Sequence, residues 1–562
     1  MKKQILSVLL AIAILSSAAC RNSKDQTTKA SSIVSSEISK IETTSEQKPA
    51  TSEAPSETTA ATETSETTTS ASVLTTLSNQ TNREKNQFDL NIKLDDTNKT
   101  LKVDQKLKYV NNTGKDLKEI YFNLIPEAFR EKNGGVTIDS VSCGGQTLSM
   151  KQIDGTVYSL PLASELKAGA SIDIDMSYTV KIPNIADRFG YSDNLFNLGN
   201  VIATPALFEN GAWLVQPYID IGDAFYTEIA DYTATFDVPE GFTVASTGTM
   251  KVGKYVAENV RDFAFSIGKD MKEIHDTEDG VNIQVFYNGK EDSCAEYSLE
   301  VAKKAVKFYN SVLGGYPYET LNIVLCQYIN AKGAIAMEYP QLVMIGTLPD
   351  TEVSFEMDLG KITLDEARKK IDENDPEPQP GDKPIPLTDE ELLSMLKSST
   401  ETHAANIVHE IAHQWFYGIV GNDEIRHPWI DEGMTDFMEA YCLTECNLIE
   451  DAYQMRAFQR EDEDIMNSKD SSADKENFCD LNKSIYDYKK DEMEYWSIYD
   501  KGAALMYHFY QSLGKDAFNQ ALKEYVETFA YTEVTPQEFQ EFWKTKGDFE
   551  ETLKIYLASS NK

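Results

Sequence analysis

The sequence predicts an α+β protein in two parts, an antiparallel β domain followed by a mainly helical one. Two changes of hydrophobic period predict it. From Phe88 onward apolar and polar residues alternate, the period of a half-buried strand. From Ser293 onward apolar residues recur at every third or fourth position, the period of a helix packed on one side. The third observation is a helical stretch, Ile407 to Phe416, in which His409 and His413 stand four apart with Glu410 next to the first. Residues four apart lie one above the other on one helix face.

The chain opens with Lys2 and Lys3, a short apolar run from Ile5 to Ile14, and the small residues Ser16, Ser17, Ala18 and Ala19 before Cys20. The run is too short to span a bilayer, so a signal peptide over 1–20 is expected. Small residues immediately before a Cys resemble a bacterial lipobox. That resemblance implies a lipid on Cys20 and a place on the outer face of a bacterial cell membrane; an ordinary signal peptide is the other reading. Residues 21–82 are Ser, Thr, Ala and Glu with almost no aromatics. Such a stretch cannot offset chain entropy by burial, and predicts a disordered tether spanning roughly 40–45 Å on average.

Formal net charge is −38 and the sequence pI about 4.5. This argues against nucleic acid as a partner and, for the folded body, against anionic lipid surfaces. Besides Cys20 there are Cys143, Cys294, Cys326, Cys442, Cys446 and Cys479, without the spacing of a disulfide framework. Cys442 and Cys446, four apart on an expected helix, are awkwardly placed for a disulfide. All six read as buried thiols.

Residues 83–278 read as the β domain. F-D-L-N-I-K-L and L-K-V-D-Q-K-L-K-Y-V flank the turn-rich D-D-T-N-K, and similar runs recur at 172–180 and 232–238. The helical pattern from Ser293 stops at Gly314-Gly315, and L-N-I-V-L-C reads as a strand. Between 347 and 398 lies an acidic insertion. Thr363 with Glu366, and Thr388 with Glu391, fit capping boxes opening two short helices around a Pro-rich stretch. It reads as a decorated surface loop, with a lid over the cleft as the alternative.

Two imidazoles on one helix face can share a metal ion, with Glu410 beside it as general base. Catalytic zinc takes a third protein ligand and keeps a position open. Eighteen residues past His413 (432 − 413 − 1 = 18) comes Glu432, in W-I-D-E-G-M-T-D-F. Asp436 and Glu439 follow on the same face, and either can take the second N–H of a ligating imidazole.

H-E-x-x-H, eighteen residues and Glu together resemble the zinc metallopeptidases of the aminopeptidase N and leukotriene-hydrolase family. The resemblance implies a saddle-like β domain followed by a thermolysin-like catalytic domain over 279–515, with one Zn2+ on His409, His413 and Glu432. A short helical segment, 516–562, stands where relatives commonly carry a large helical domain. Ala336, Met337 and Glu338, in G-A-I-A-M-E-Y-P, resemble the family's Gly-Ala-Met-Glu-Asn stretch, whose Glu holds the substrate's amino terminus. Ile335 and Tyr339 stand where Gly and Asn are usual. Tyr499-Asp500-Lys501-Gly502 resembles the family's Tyr-x-Lys-Gly, whose Tyr stabilises the oxyanion; Tyr495 is the runner-up. The family's second amine contact, in a Gln-x-Glu pattern of the β domain, has no match, and Gln216 is a weak stand-in. His403, His427 and His508 have no partner spacing and read as structural.

The expected activity is that of a zinc metallopeptidase, most readily an aminopeptidase at the cell surface. Peptides are its substrates, Cys20 its link to the membrane, and no obligatory protein partner is evident. Two alternatives remain open, an endopeptidase of the same chemistry and a silent surface-binding protein. The chain retains His409, Glu410, His413, Glu432 and Tyr499, and a silent relative is expected to lose at least one.

Overall fold

The computed structural model describes residues 84–192, 194–326, 336–347, 351–374, 387–449, 452–467, 480–488 and 495–558. Cys20, the tether, the Pro-rich stretch at 375–386 and Cys479 lie outside the described residues.

The β domain is built on an eight-stranded sheet. Its centre is Asn86–Asp95, whose alternate residues Phe88, Leu90, Ile92 and Leu94 are buried while those between face solvent. It pairs antiparallel with Thr100–Val110, Leu94 opposite Leu101 and Phe88 opposite Leu107. The Asp95 carboxylate accepts from the backbone N–H of Thr97 and Asn98, which closes the turn. On its other edge the strand pairs parallel with Ala230–Asp237. The domain is therefore not purely antiparallel, because the long connection between these strands permits a parallel return. Two four-stranded sheets and a two-stranded one, Phe208–Glu209 with Ala212–Trp213, complete it.

The expected domain boundary at 278 falls inside the second domain's sheet. Strand Lys272–Glu278 is the edge of a five-stranded sheet, followed in order by Val281–Tyr287, Thr320–Cys326, Leu342–Gly346 and Ala336–Met337. Its sequence, K-E-I-H-D-T-E, carries a single apolar residue, so period alone did not say which sheet it joins. Helix α1, Asp292–Leu313, makes the crossover between the parallel strands Val281–Tyr287 and Thr320–Cys326, and Gly314 follows it at φ 99°. The short edge strand Ala336–Met337 runs antiparallel to Leu342–Gly346 and delivers Glu338 at its end.

The remaining helices are α2 (Thr351–Asp358), α3 (Leu364–Asn374), α4 (Asp389–Ala412), α5 (Trp429–Glu445), α6 (Tyr453–Asn467), α7 (Ser497–Leu513), α8 (Lys515–Phe529), α9 (Pro536–Lys544) and α10 (Glu550–Tyr556). Two expectations change here. The capping box of Thr388 and Glu391 opens no short helix: it starts the 24-residue α4, which ends at Ala412 with His413 as its C-cap. The part of the insertion that is described is also no mere loop. Helices α2 and α3 pack on the first turns of α4 through Val353, Ala367, Ile371, Leu392 and Leu396. The Glu352 carboxylate caps α1 by accepting from Ser293 and Cys294 N–H at 2.9 and 2.8 Å. A helix of that length gains its first half by covering apolar surface that a solvated loop would leave open.

The core lies between the sheet, α1, α4 and α5. Tyr309 of α1, fully buried, donates its hydroxyl to the carbonyls of Val408 in α4 and Met438 in α5 at 2.9 and 3.3 Å. Helices α7 to α9 close the far side through stacked rings, Phe509 on Trp543 and Phe518 on Trp543. Arg261 of the β domain donates to Tyr417 O, Thr532 O and Glu533, which ties the two domains together. The described cysteines are free thiols; Cys446 is half-buried, unlike the other four. Among the described residues no helix is long and apolar enough to cross a membrane.

Candidate metal and substrate site

The last turn of α4 and the first of α5 bring three donor atoms to one point. His413 Nε2 stands 3.2 Å from His409 Nε2, and Glu432 Oε2 stands 3.3 and 3.5 Å from these two nitrogens. Donors bound tetrahedrally at zinc–ligand lengths would lie about 3.3 Å apart. The other ring nitrogens are spoken for. His409 Nδ1 stands 3.0 Å from a Glu439 carboxylate oxygen, and His413 Nδ1 stands 3.0 Å from the Phe416 carbonyl. With those N–H groups donated outward, both Nε2 lone pairs face Glu432 Oε2, a buried oxygen with no hydrogen bond. Three converging acceptors repel one another unless a cation sits among them, and the residues fit a divalent metal.

Of the two acids expected behind the histidines, Glu439 takes the hydrogen bond. Asp436 lies in the same cluster, its carboxylate within 4.8 Å of the donor atoms of His409 and Glu439. Gln454 of α6 in turn donates to Glu439.

Glu410 is buried next to the three donors. Burial raises its carboxyl to about 8, His409 opposing this and Glu432 and Asp223 adding to it. Tyr499 lies in the first turn of α7 and donates its hydroxyl to Glu432 Oε1. Burial, with Glu432 beside it, pushes this phenol well above its ordinary value, so it stays a donor at neutral pH. Tyr495 packs edge-on against it with ring centroids 6.0 Å apart.

Glu338 arrives from the sheet edge, held by a contact the sequence did not announce. Gln414, the residue after His413, donates to the carbonyls of Glu338 and Tyr339 at 3.2 Å and accepts from Gln341 N–H at 2.7 Å. Tyr339 is fully buried and donates to Asn200 of the β domain at 2.6 Å. Glu338 Oε1 is buried without a partner. Its carboxyl is pushed well above the ordinary range by burial first, then by Asp223, Glu410 and Glu432.

Asp223 was missed in the sequence, and Gln216 does not take its place. Gln216 lines a small cavity with Asn123, Thr156 and Tyr218. The β domain instead sends in the loop Gly222-Asp223, so close to Tyr495 that a Cβ on Gly222 would stand 2.3 Å from the tyrosine oxygen. Asp223 pairs with Arg188, whose guanidinium lies over the Phe225 ring at 5.7 Å. The available signal was slight: two acids, Asp220 and Asp223, around Gly222 in a stretch with no strand or helix period.

Residues 387–556 match the peptidase family M1 domain. The chain is 24% identical over 476 residues to aminopeptidase N of Lactobacillus helveticus, covering 80% of this chain and 48% of that protein. It is 26% identical over 140 residues to leukotriene A-4 hydrolase of Xenopus laevis, covering 25% of this chain and 23% of that one. The chain thus spans about half the length of the first of these relatives, and less of the second. In fold it resembles the M1 zinc metallopeptidase of Deinococcus radiodurans, at 16% identity and a TM-score of 0.53 over 84% of this chain and 94% of that one. A mutant of that enzyme bound to a Tyr-Ser-Ala substrate gives 17% identity and a TM-score of 0.51 over 84% and 94%. Residues 387–556 thus carry a match to the peptidase family M1 domain, inside a two-part fold similar to that of M1 zinc metallopeptidases.

Proposed function

We propose that this protein is a zinc-dependent aminopeptidase that removes residues from the free amino terminus of peptides. The observation that carries the reading is the convergence of His409, His413 and Glu432 within 3.2 to 3.5 Å, with the buried Glu338 and the partly buried Asp223 as further acids beside them.

His409, His413 and Glu432 would hold the zinc, with Glu439 and the Phe416 carbonyl fixing the two rings. Bound there, zinc supplies Lewis-acid polarisation of the scissile carbonyl. Glu410 accepts a proton from the attacking water and returns it to the leaving amine. Tyr499 donates to the oxygen on which negative charge develops, a kind of contact worth roughly 3–4 kcal/mol in other enzymes. A substrate ammonium answers the mutual repulsion of Glu338 and Asp223, and such an ion pair, shielded from water, holds the first peptide bond over the metal donors. The ligands in two structures similar in fold, Tyr-Ser-Ala in the Deinococcus radiodurans mutant and L-arginine in a two-domain M1 zinc metallopeptidase mutant, each carry such an amine, which supports the reading.

Peptides with free and acetylated amino termini test it. Acetylation is expected to lower kcat/KM at least about tenfold, roughly 1.4 kcal/mol. Glu338→Ala is expected to erase most of that discrimination with zinc content unchanged. Equal cleavage of both peptides by the wild type would replace this reading with the endopeptidase.

Cell-surface attachment through a lipid on Cys20 is part of the proposal, resting on the lipobox-like run alone. Cys20→Ser is expected to move the protein from the detergent phase to the aqueous phase, and equal partitioning of both forms removes the anchor.

A further inference from the structure

Helix α5 carries Glu432 and Glu439 toward the metal donors, and its far end carries two thiols that the proposed chemistry does not use. Cys442 Sγ and Cys446 Sγ lie 3.9 Å apart. Cys442 is fully buried, and Cys446, the C-cap, is half-buried. We propose that Cys442 and Cys446 form a reversible thiol–disulfide site that reacts with low-molecular-weight disulfides such as oxidised glutathione.

In a regular helix, Cβ atoms four residues apart lie roughly 5–6 Å from one another, against the 3.5–4.5 Å of a disulfide, which is why the spacing alone argues against a bond. Cys446 is the C-cap of α5, its N–H still bonded to the Cys442 carbonyl at 2.9 Å, and the helix ends with it. Cys446 sits at φ −86°, ψ 0°, and Asn447 then turns to φ 50°, so the chain leaves the helix axis at this residue. A Cα separation of roughly 6 Å, expected across a helical turn, is within the range disulfides span. Closing the bond therefore takes movement of the last, half-exposed residue and leaves the body of α5 in place. A bond closed against such geometry is readily reduced, which makes the site reversible.

The asymmetry of the two thiols sets the order of events. The Cys446 thiol is held below its ordinary value, chiefly by the hydrogen bond from Cys442, with Lys304 adding to it, while burial pushes the Cys442 thiol well up. Cys446, accessible and the better thiolate, attacks one sulfur of the small disulfide and expels the first glutathione thiolate. Cys442 then gives up its proton and attacks the Cys446 sulfur, and the second glutathione thiolate leaves. Two protein thiols lose two electrons, and one small disulfide gains them to become two thiols.

The experiment is alkylation and mass spectrometry of the whole folded protein after equilibration in buffers of defined reduced-to-oxidised glutathione ratio. In the wild type, Cys442 and Cys446 are expected to lose reactivity together, two thiols per chain, with no glutathione retained and with full recovery under dithiothreitol. Cys442→Ser is expected to retain one glutathione, on Cys446. Cys446→Ser, with only the sealed thiol left, is expected to take up none. The proposal is overturned if both wild-type thiols stay alkylatable after unfolding under the most oxidising buffer, or if the wild type retains glutathione on Cys446. Because each readout is taken on the wild type as well, a variant that folds poorly does not decide the matter.

Discussion

Gly433 and Gly502 meet backbone to backbone where α5 crosses α7. A Cβ on Gly433 would stand 2.5 Å from Gly502 Cα, and one on Gly502 would stand 2.6 Å from Gly433 Cα. Gly433 follows the proposed ligand Glu432, and Gly502 lies one helical turn beyond Tyr499. The close approach of these two helices is what lets the Tyr499 hydroxyl reach Glu432.

Gly502→Ala should therefore push α7 away from α5. Forcing a methyl into such a contact typically costs about 1–3 kcal/mol. The expected outcome is a lower midpoint of denaturant unfolding and a lower kcat, because Tyr499 retreats while the metal donors stay in α4 and α5. An unchanged midpoint would mean that the two backbones are not in contact.

The donor set makes a second prediction. Purified protein should carry about one zinc per chain, and His413→Ala should lose most of it. Glu410→Gln should keep the metal and lose activity, because only the proton acceptor is removed. Glu439→Ala should weaken zinc binding about 10–100-fold in a chelator competition, since His409 loses the partner that orients it. Wild-type zinc content in His413→Ala would sink the ligand assignment.

Asp223 should matter for amine recognition from the β-domain side. Asp223→Asn is expected to lower kcat/KM for peptides with a free amino terminus about tenfold, while leaving acetylated peptides unaffected. An equal loss on both would assign Asp223 to packing with Arg188, and leave Glu338 as the acid that reads the amine.

His403 predicts a pH dependence of stability. It is buried, with Nε2 2.9 Å from Ser298 Oγ, and burial pushes it down to about 3. Its folded pKa is thus below the unfolded value of about 6.5. The folded state binds the proton less readily, so its contribution is fully present above about pH 6.5 and is lost as pH falls toward 3. Between pH 7 and pH 5 that amounts to about 2 kcal/mol from this one group. His403→Gln should flatten the stability profile over that window by about this much, measured by urea unfolding at each pH; parallel wild-type and variant profiles would contradict it.

By itself the sequence determined the local features: two hydrophobic periods, H-E-x-x-H with Glu432 eighteen residues on, the stop at Gly314, and the start of a helix after Thr388. Each depends on neighbours within a turn or a strand, or on a spacing along the chain, so the residues involved are adjacent in the text. Tertiary structure alone decided that Lys272–Glu278 joins the second sheet, that the helix begun at Thr388 runs on to the metal donors, and that Glu439 serves His409. It also brought Asp223 to the cleft on a loop with no period of its own, and placed Gln414 to clamp the strand edge that carries Glu338. These are contacts between side chains far apart in sequence. Local propensity carries no record of which distant surface a strand edge, a buried acid or a pair of glycines will meet, because that choice is made by packing the whole core at once.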